Sequence, residues 1–163
     1  MKIVLASESE FRRRAMDMLG VTYQICPSGI DEKIIRGDNP AELTLKLAEA
    51  KARKVAAECA DAVVISGDAV VSKGNKIYEK PRSTEEAAQF LRELSGNEFQ
   101  FITSLAVFHS QTGKMLSTVE ISNITFRPLA EHEIQAYMRK YDVLRHAGAF
   151  ESDAVLRFAD RIS

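Results

Sequence analysis

Five polar residues of this 163-residue chain have side-chain types that together suit phosphate chemistry. Ser7, Arg12, Lys51, Asp68 and Lys80 supply one hydroxyl, three cations and one carboxylate. Three cations beside a helix N-terminus can hold a polyphosphate. A carboxylate near them can hold a hard divalent cation or take a proton from water. The set therefore predicts a site for a phosphate-containing ligand.

Ser7 and Ser9 lie where the apolar run "IVLA" gives way to a helical pattern. Serines at such a position often cap the helix, and Ser7 and Glu10 have the spacing of a capping box. The same hydroxyls, together with free amides and the helix dipole, also favour an anion. Spacing alone leaves N-capping and anion binding equally supported.

Three consecutive arginines belong to this first helical pattern, which covers residues 9–19 and stops at Gly20. At about 100° per residue, one arc collects the apolar residues Phe11, Ala15, Met18 and Leu19. Arg12 falls inside that arc, whereas Arg13 and Arg14 point the other way. We therefore expect Arg12 to face inward and the two flanking arginines to be solvated.

Lys51 belongs to a second helical pattern, which starts at Asn39-Pro40 and runs to about Cys59. It lies between Leu47 and Val55 at the edge of the apolar face. Because burying an ammonium alone costs several kcal/mol, a lysine there indicates a partner or a ligand. A lysine that snorkels to solvent is the alternative.

Asp68 follows the apolar run "AVVIS", which predicts a buried strand ending at Gly67-Asp68. Open α/β sheets bind ligands beyond the carboxyl ends of their strands. Pro81 holds Lys80 extended, so that Lys80 could project into the same crevice. A Gly-Asp turn is also a common structural device, and the sequence leaves both readings of Asp68 open.

The other periodicities complete an α/β pattern. Strands are predicted at the β-rich runs 2–6, 22–26, 99–110 and 115–126, the last two forming a hairpin. Helices are predicted from residue 84 to about 95 and from 131 to 141, with residues 145–158 as loop and strand. Helices that alternate with strands indicate a mixed sheet flanked by helices.

Composition and charge restrict the class of protein. The net charge of −1 provides no overall positive field, so nucleic acid is not an expected partner. No apolar stretch approaches the roughly 20 residues that span a membrane, and "MKIVLAS" is too short for a secretory signal. Cys26 and Cys59 fit neither a disulfide framework nor a metal-ligand pattern. We expect free thiols in a cytoplasmic protein without membrane partners.

Seven stretches of the chain resemble the Maf family of nucleoside triphosphate pyrophosphatases. They are "IVLASESEFRR", "SGIDE", "LAEAKA", "VVISGDAVV", "EKP", "EEAAQFLRELSG" and "HAGAFES". The resemblance implies a mixed, twisted α/β sheet flanked by helices, with two lobes and a nucleotide cleft, as in the inosine triphosphatase group. It also implies metal-dependent hydrolysis between the α and β phosphates of a nucleotide, which releases a monophosphate and pyrophosphate.

The resemblance also implies roles for individual residues. The positions that match phosphate contacts are Ser7, Arg12, Lys51 and Lys80. Asp68 matches the position of the proton acceptor and metal contact, and Glu32 of "SGIDE" is a second candidate metal ligand. An exposed loop acid is the alternative reading of Glu32. The implied cofactor is a divalent cation, Mg²⁺ or else Mn²⁺.

Three positions distinguish the branches of the family, and here they are Phe11, Ala69 and Asp153. Phe11 and Asp153 resemble the 7-methyl-GTP branch, because an aromatic ring can stack on a cationic base and a carboxylate can accept hydrogen bonds from guanine. Ala69 matches neither that branch nor the branch that prefers dTTP and UTP. The expected substrate is 7-methyl-GTP or another modified nucleotide.

Two further features separate this chain from the family pattern. Ser104 stands where the family commonly has glycine. Family members usually continue beyond the position of Ser163, so we expect a single Maf-like domain over residues 1–163 that lacks the usual C-terminal segment. A homodimer could cover the surface left open. The alternative functions are a nucleotide-binding regulatory protein with weak or lost catalysis and a dTTP/UTP pyrophosphatase.

Overall fold

A computed structural model describes residues 1–151 and 154–163 completely and residues 152 and 153 by their backbone alone. The strands of the described chain are β1 (Lys2–Leu5), β2 (Gln24–Ile25), β3 (Ala62–Lys73), β4 (Lys76–Tyr78), β5 (Glu98–His109), β6 (Met115–Phe126) and β7 (Ala159–Ile162). Its α-helices are α1 (Glu10–Met18), α2 (Pro40–Ala56), α3 (Thr84–Leu94), α4 (Glu131–Lys140) and α5 (Ser152–Phe158). Short 3₁₀ helices cover Glu32–Ile34, Val143–Arg145 and Ala147–Ala149.

The strands form one mixed sheet in the order β2-β1-β3-β5-β6-β7, with β4 paired to β3. β1 runs parallel to β2 and to β3, whereas β4 is antiparallel to β3 and β7 is antiparallel to β6. The predicted mixed α/β sheet is therefore confirmed. The chain divides into two compact units, as the expectation of two lobes requires.

The first unit comprises Met1–Asp68 and Thr103–Glu120. β1 lies between β2 and β3 in the sheet. The chain therefore passes from β1 to its neighbour β2 on one side, and then crosses to β3 on the other side of β1. Right-handed crossovers then place α1 and α2 on opposite faces of the sheet. In α/β proteins, ligands bind at such a reversal of strand order, beyond the carboxyl end of the strand where the order reverses, here β1.

Small side chains fill the core of this first unit. Its buried cluster is Val4, Ala6, Ala48, Ala52, Val55, Ala56, Ala62, Val64 and Ala106. Because alanine adds so little volume, α2 can pack with its backbone close to the sheet. Asn39 fixes where α2 begins, since its side chain accepts a hydrogen bond from the Glu42 amide at 2.9 Å.

The second unit comprises Ala69–Ile102 and Ile121–Ser163, and aromatic rings fill its core. The Phe99 and Phe126 ring centroids are 4.7 Å apart with the planes near perpendicular, and Phe126 meets Phe150 at 5.2 Å. Edge-to-face pairs of this kind add to the stabilisation from buried area. Ser83 caps α3 by accepting a hydrogen bond from the Glu86 amide, at the predicted start of that helix.

Three predicted elements need correction. β3 does not end at Asp68 but continues to Lys73, because its last residues pair with β4. Residues 152–158, expected within a loop and strand, form α5, and the strand β7 follows. The strand predicted at 22–26 is reduced to the two residues of β2. The hairpin of β5 and β6 and the helices α3 and α4 are confirmed.

The inward face of α1 also differs from the prediction. Met16 is buried, whereas Met18 is 88% exposed and Leu19 is 69% exposed. The arc of apolar residues therefore does not define the packed side of this helix. Gly20 does end it, with a φ of +66° that glycine adopts without strain.

Other expectations about the chain agree with the structure. Cys26 and Cys59 are free thiols, as predicted. In the part of the chain that is described, no helix combines the length and the apolar character that a membrane crossing requires.

Glu93 connects α3 to the β3–β4 hairpin within the second unit. Its Oε2 accepts hydrogen bonds from Lys76 Nζ at 2.5 Å and from the Tyr78 hydroxyl at 2.8 Å. The Lys76 and Tyr78 hydrogen bonds lower the pKa of Glu93 to about 2. Burial and the Glu93 carboxylate raise the pKa of Tyr78 to about 12.

Glu93→Gln is expected to lower the free energy of unfolding at pH 7 by about 1 kcal/mol, a figure that allows for solvent screening of the pair. Because the folded-state pKa is lowered, this stabilisation is present above the ordinary pKa of glutamate and is lost as the pH falls towards 2. Urea unfolding at pH 7, 5 and 3 measures the difference. Glu58→Gln, in an exposed ion pair with Lys54, is the control and should change stability much less than Glu93→Gln does. An effect of Glu93→Gln that does not shrink at pH 3 would contradict the prediction.

Candidate active site

Ser7 and Arg12 lie just beyond β1 and form a hydrogen-bonded pair. The buried Ser7 Oγ accepts hydrogen bonds from Arg12 Nη1 at 3.0 Å and from the Ser9 amide at 3.1 Å. Ser9, not Ser7, is the N-cap of α1, and within the described chain its side chain makes no capping hydrogen bond. The capping-box reading of Ser7 and Glu10 is therefore wrong, and Ser7 instead orients an arginine.

Arg12 faces inward, whereas Arg13 and Arg14 face solvent, as predicted. Burial lowers the pKa of the Arg12 guanidinium, while the charges of Asp68 and Glu32 oppose that shift. An arginine nevertheless remains protonated in a protein, so Arg12 provides a largely desolvated positive charge. Arg13 and Arg14 are exposed, and Arg14 forms an ion pair with Glu10 at 2.7 Å.

Lys51 is held between two carboxylates. Its Nζ lies 2.7 Å from Asp68 Oδ1 and 2.9 Å from Glu32 Oε1. Among the described residues it is the one charged residue that is buried, with 8% of its surface exposed. The sequence predicted a partner or a ligand for this lysine, and the structure provides two carboxylate partners, Asp68 and Glu32.

Asp68 extends from β3 towards α2, and its side chain is 12% exposed. Burial raises the pKa of the Asp68 carboxyl above its ordinary value, and the Lys51 ammonium opposes that shift by charge and by hydrogen bond. Glu32 adds to the increase and Arg12 reduces it. A carboxylate with a raised pKa is a better proton acceptor than an ordinary aspartate.

Glu32 reaches the cluster from the loop between β2 and α2. It begins the 3₁₀ helix Glu32–Ile34, which Asp31 caps by accepting a hydrogen bond from the Lys33 amide at 3.1 Å. The Glu32 side chain is 54% exposed, so it lies at the open side of the ion-pair cluster. Glu32 is therefore more than an exposed loop acid, since it contacts Lys51.

β3 presents this cluster through the alternation of its side chains. Ser66 and Asp68 face α2, where Ser66 Oγ donates to Ala48 O at 2.6 Å. Gly67 faces the other way, towards Arg12. A Cβ at Gly67 would lie 2.6 Å from the Ser104 carbonyl oxygen and 3.1 Å from Arg12 Nε. The absence of a side chain at Gly67 therefore makes room for Arg12.

The structure brings together Ser7, Arg12, Glu32, Lys51 and Asp68, all of which belong to the first unit. Lys80 is exposed and lies in the second unit, as does Ala69, which is half-buried on β3. Phe11 is half-buried in the first turn of α1, with the Arg14 guanidinium 5.7 Å from its ring centroid. The side chain of Asp153 lies outside the described residues.

Sequence reasoning missed Ser66, Gly67 and Ser104 as parts of this site. Ser66 interrupts an apolar strand two residues before Asp68. Because strand side chains alternate, two residues at that spacing lie on the same face of the strand. That position was the available signal for Ser66. The contacts of Ser104 could not be inferred, because it comes from β5, which is distant in sequence.

Asp68 and Glu32 are the candidate ligands for a divalent cation. No group of three or more histidine, cysteine, aspartate or glutamate side chains in the described residues could hold a metal ion. Mg²⁺, however, is commonly bound by one or two carboxylates together with water and substrate phosphates. Two carboxylate oxygens that converge on one cation, here Lys51 Nζ, fit that donor set.

The fold and this cluster define a mixed α/β protein with a charged site at the switch point of its sheet. The chain belongs to the family of Maf-like proteins, whose pattern matches residues 2–163. A curated relative, the 7-methyl-GTP pyrophosphatase of Nitrosococcus oceani, is 36% identical over 153 residues, which are 94% of this chain and 77% of that protein.

Two solved structures share the fold. The Ham1 protein of Staphylococcus aureus has a TM-score of 0.54 at 15% identity, over 77% of this chain and 72% of that one. A HAM1 protein from Coxiella burnetii has a TM-score of 0.52 at 13% identity, over 97% of this chain and 91% of that one. Likeness at such low identity extends to the fold alone.

Gly67→Ala is expected to lower the free energy of unfolding by roughly 1–3 kcal/mol, because its methyl group would overpack against the Ser104 carbonyl oxygen. Urea unfolding of the variant measures the loss. Shortening Arg12 in the double variant Gly67→Ala/Arg12→Ala should not restore stability, because the nearest atom belongs to the backbone. A Gly67→Ala variant as stable as the unaltered chain would show that the close approach is absent.

Proposed function

We propose that this Maf-like protein is a nucleoside triphosphate pyrophosphatase that releases a nucleoside monophosphate and pyrophosphate. The observation that carries this proposal is the convergence of Arg12, Lys51 and Asp68 beyond the carboxyl end of β1, at a switch point of the sheet. Family membership and the 36% identical pyrophosphatase give the hydrolase class independent support.

The cations of the site suit a polyphosphate. Arg12 can donate several hydrogen bonds to phosphate oxygens in a planar arrangement, and Ser7 already orients it. Lys51 supplies a compact charge that can follow a phosphate group. Because Lys51 is buried and Arg12 is half-buried, their attraction for a phosphate is screened less than at the surface. Lys80 is proposed as a further phosphate contact.

The chemical step is a displacement at the α-phosphorus. Asp68 accepts a proton from a water molecule while the oxygen of that water forms a bond to the α-phosphorus. The bond from the α-phosphorus to the bridging oxygen breaks, and pyrophosphate leaves with the bonding electron pair. Arg12 and Lys51 stabilise the charge that develops on the phosphate oxygens. Positioning and charge stabilisation therefore supply most of the rate.

Asp68 and Glu32 are the proposed ligands of the divalent cation, Mg²⁺ or else Mn²⁺. When bound, the ion would neutralise phosphate charge. Lys51 holds both carboxylates within hydrogen-bonding distance of one point, so they are pre-oriented for a shared cation. Metal binding and phosphate binding would then draw on the same cluster.

The proposed base is 7-methylguanine or another modified guanine. The relative from Nitrosococcus oceani bears that activity in its name, and Phe11 provides a ring on which a cationic base could stack. Asp153 would accept hydrogen bonds from the guanine edge, and Ala69 would border the base. The proposed substrate is a mononucleotide and not a nucleic acid. The proposed compartment is the cytoplasm, and the proposed assembly is a homodimer.

Pyrophosphate release with Mg²⁺ should be measured for 7-methyl-GTP, GTP, UTP and dTTP. A preference for 7-methyl-GTP is expected, and Asp68→Asn should lower kcat by roughly 10²–10⁴-fold because the proton acceptor is lost. Asp61→Asn, in an exposed ion pair with the N-terminus, is the matched control and should change kcat by less than about twofold.

The other outcomes of this assay separate the alternatives. A preference for UTP or dTTP would keep the pyrophosphatase and reject the roles of Phe11 and Asp153. Nucleotide binding without turnover would instead indicate a regulatory nucleotide-binding protein.

The three arginines provide a second test. Arg12→Ala should lower kcat/KM by roughly 10- to 100-fold, the loss expected for a charged hydrogen bond to phosphate. Arg13→Ala removes the same charge from the next residue, whose guanidinium donates to Glu8 O at the surface, and should leave kcat/KM nearly unchanged. Equal effects of the two substitutions would contradict a specific role for Arg12.

A further inference from the structure

The buried polar residues of the first unit are concentrated around α2. In the described part of that unit they are Ser7, Thr44, Lys51, Ser66 and Ser104. Two of them are serines that donate to the helix backbone from different strands. Ser66 Oγ on β3 donates to Ala48 O at 2.6 Å, and Ser104 Oγ on β5 donates to Thr44 O at 2.7 Å.

The spacing of these contacts aligns them with the ion pair. Thr44 and Ala48 are one helical turn apart, and Lys51 follows on the next turn of the same face. On β3, Ser66 and Asp68 are two residues apart and share a face. Two contacts therefore join α2 to β3, about one helical turn apart. One is the hydrogen bond from Ser66 to Ala48, and the other is the ion pair of Lys51 with Asp68.

These hydrogen bonds restrict the ways in which α2 can move on the sheet. α2 packs against the sheet through Ala48, Ala52, Val55 and Ala56, and the three alanines offer few side-chain contacts that would resist sliding or rotation of the helix. A hydroxyl bonded to one carbonyl fixes the axial position at that point. Two such bonds, from neighbouring strands of the sheet to successive turns, also fix the rotation.

We propose that Ser66 and Ser104 are positioning residues for the Lys51–Asp68 pair, whose catalytic consequence rests on the proposed function. Neither serine touches the substrate in this role. Each holds α2 where Lys51 Nζ lies 2.7 Å from Asp68 Oδ1. Small displacements of catalytic groups reduce rates strongly, so loss of a hydroxyl affects turnover more than substrate binding.

The experiment compares Ser66→Ala and Ser104→Ala with a matched control, Ser72→Ala. Ser72 is also a buried serine of β3, but its hydroxyl donates to Gly74 O within its own hairpin. The first measurement is kcat and KM for pyrophosphate release. The second is the rate at which an acetylating reagent modifies the Lys51 amine, quantified by mass spectrometry with exposed Lys46 as internal reference.

Ser66→Ala and Ser104→Ala should each lower kcat about tenfold with a smaller change in KM. Both should also raise the acetylation rate of Lys51 several-fold relative to Lys46, because a loosened α2 exposes its amine. Ser72→Ala should leave the kinetic constants and the acetylation rate within about twofold of the unaltered chain, even if it lowers thermal stability.

Ser66→Ala and Ser104→Ala variants that behave as Ser72→Ala in both measurements would overturn the proposal and assign the hydroxyls to stability alone. The acetylation measurement does not depend on turnover. If the unaltered chain releases no pyrophosphate from any nucleotide, the proposed function fails, and Lys51 acetylation still decides the positioning role. A several-fold increase then supports it, and no increase overturns it.

Discussion

The site depends on one constraint, that the ammonium of Lys51 is buried and must have partners. An unpaired ammonium in this position would cost several kcal/mol, so α2 has to approach β3 closely enough for Lys51 to reach Asp68. The alanine-rich packing of α2 allows that approach. The core of the first unit and its charged cluster are therefore consequences of the same choice of small side chains.

The two units achieve stability in different ways. The first combines a core of small residues with buried hydroxyls and a buried ion pair, which specify geometry at some cost in stabilisation. The second contains a continuous cluster of aromatic rings. Its ion pairs, such as that of Arg127 with Glu133, are partly exposed and contribute modestly. Precise positioning of charge is thus concentrated in the unit that carries the cluster.

The sequence predicted those features that local patterns encode. Helix periodicity correctly turned Arg12 and Lys51 inward, and Asn39-Pro40 marked the start of α2. Prediction from the sequence failed where strand pairing or tertiary contacts determine the length of a strand or the packed face of a helix. β3 continues past Asp68 because β4 pairs with it. α1 buries Met16 and not Met18, and Met16 lies one turn after Arg12, which donates to Ser7. Short elements such as β2 depend almost entirely on their neighbours.

The charges of the cluster also bear on the form in which a nucleotide would bind. Arg12 and Lys51 provide two positive charges, and Asp68 and Glu32 provide two negative ones, so the cluster is close to neutral. A neutral site attracts a triphosphate weakly, because the phosphates must compete with two carboxylates for Lys51. Asp68 and Glu32 would hold a divalent cation that accompanies the nucleotide, and Lys51 would then be available to the phosphates. Charge balance therefore favours a metal–nucleotide complex over the free nucleotide as the proposed substrate.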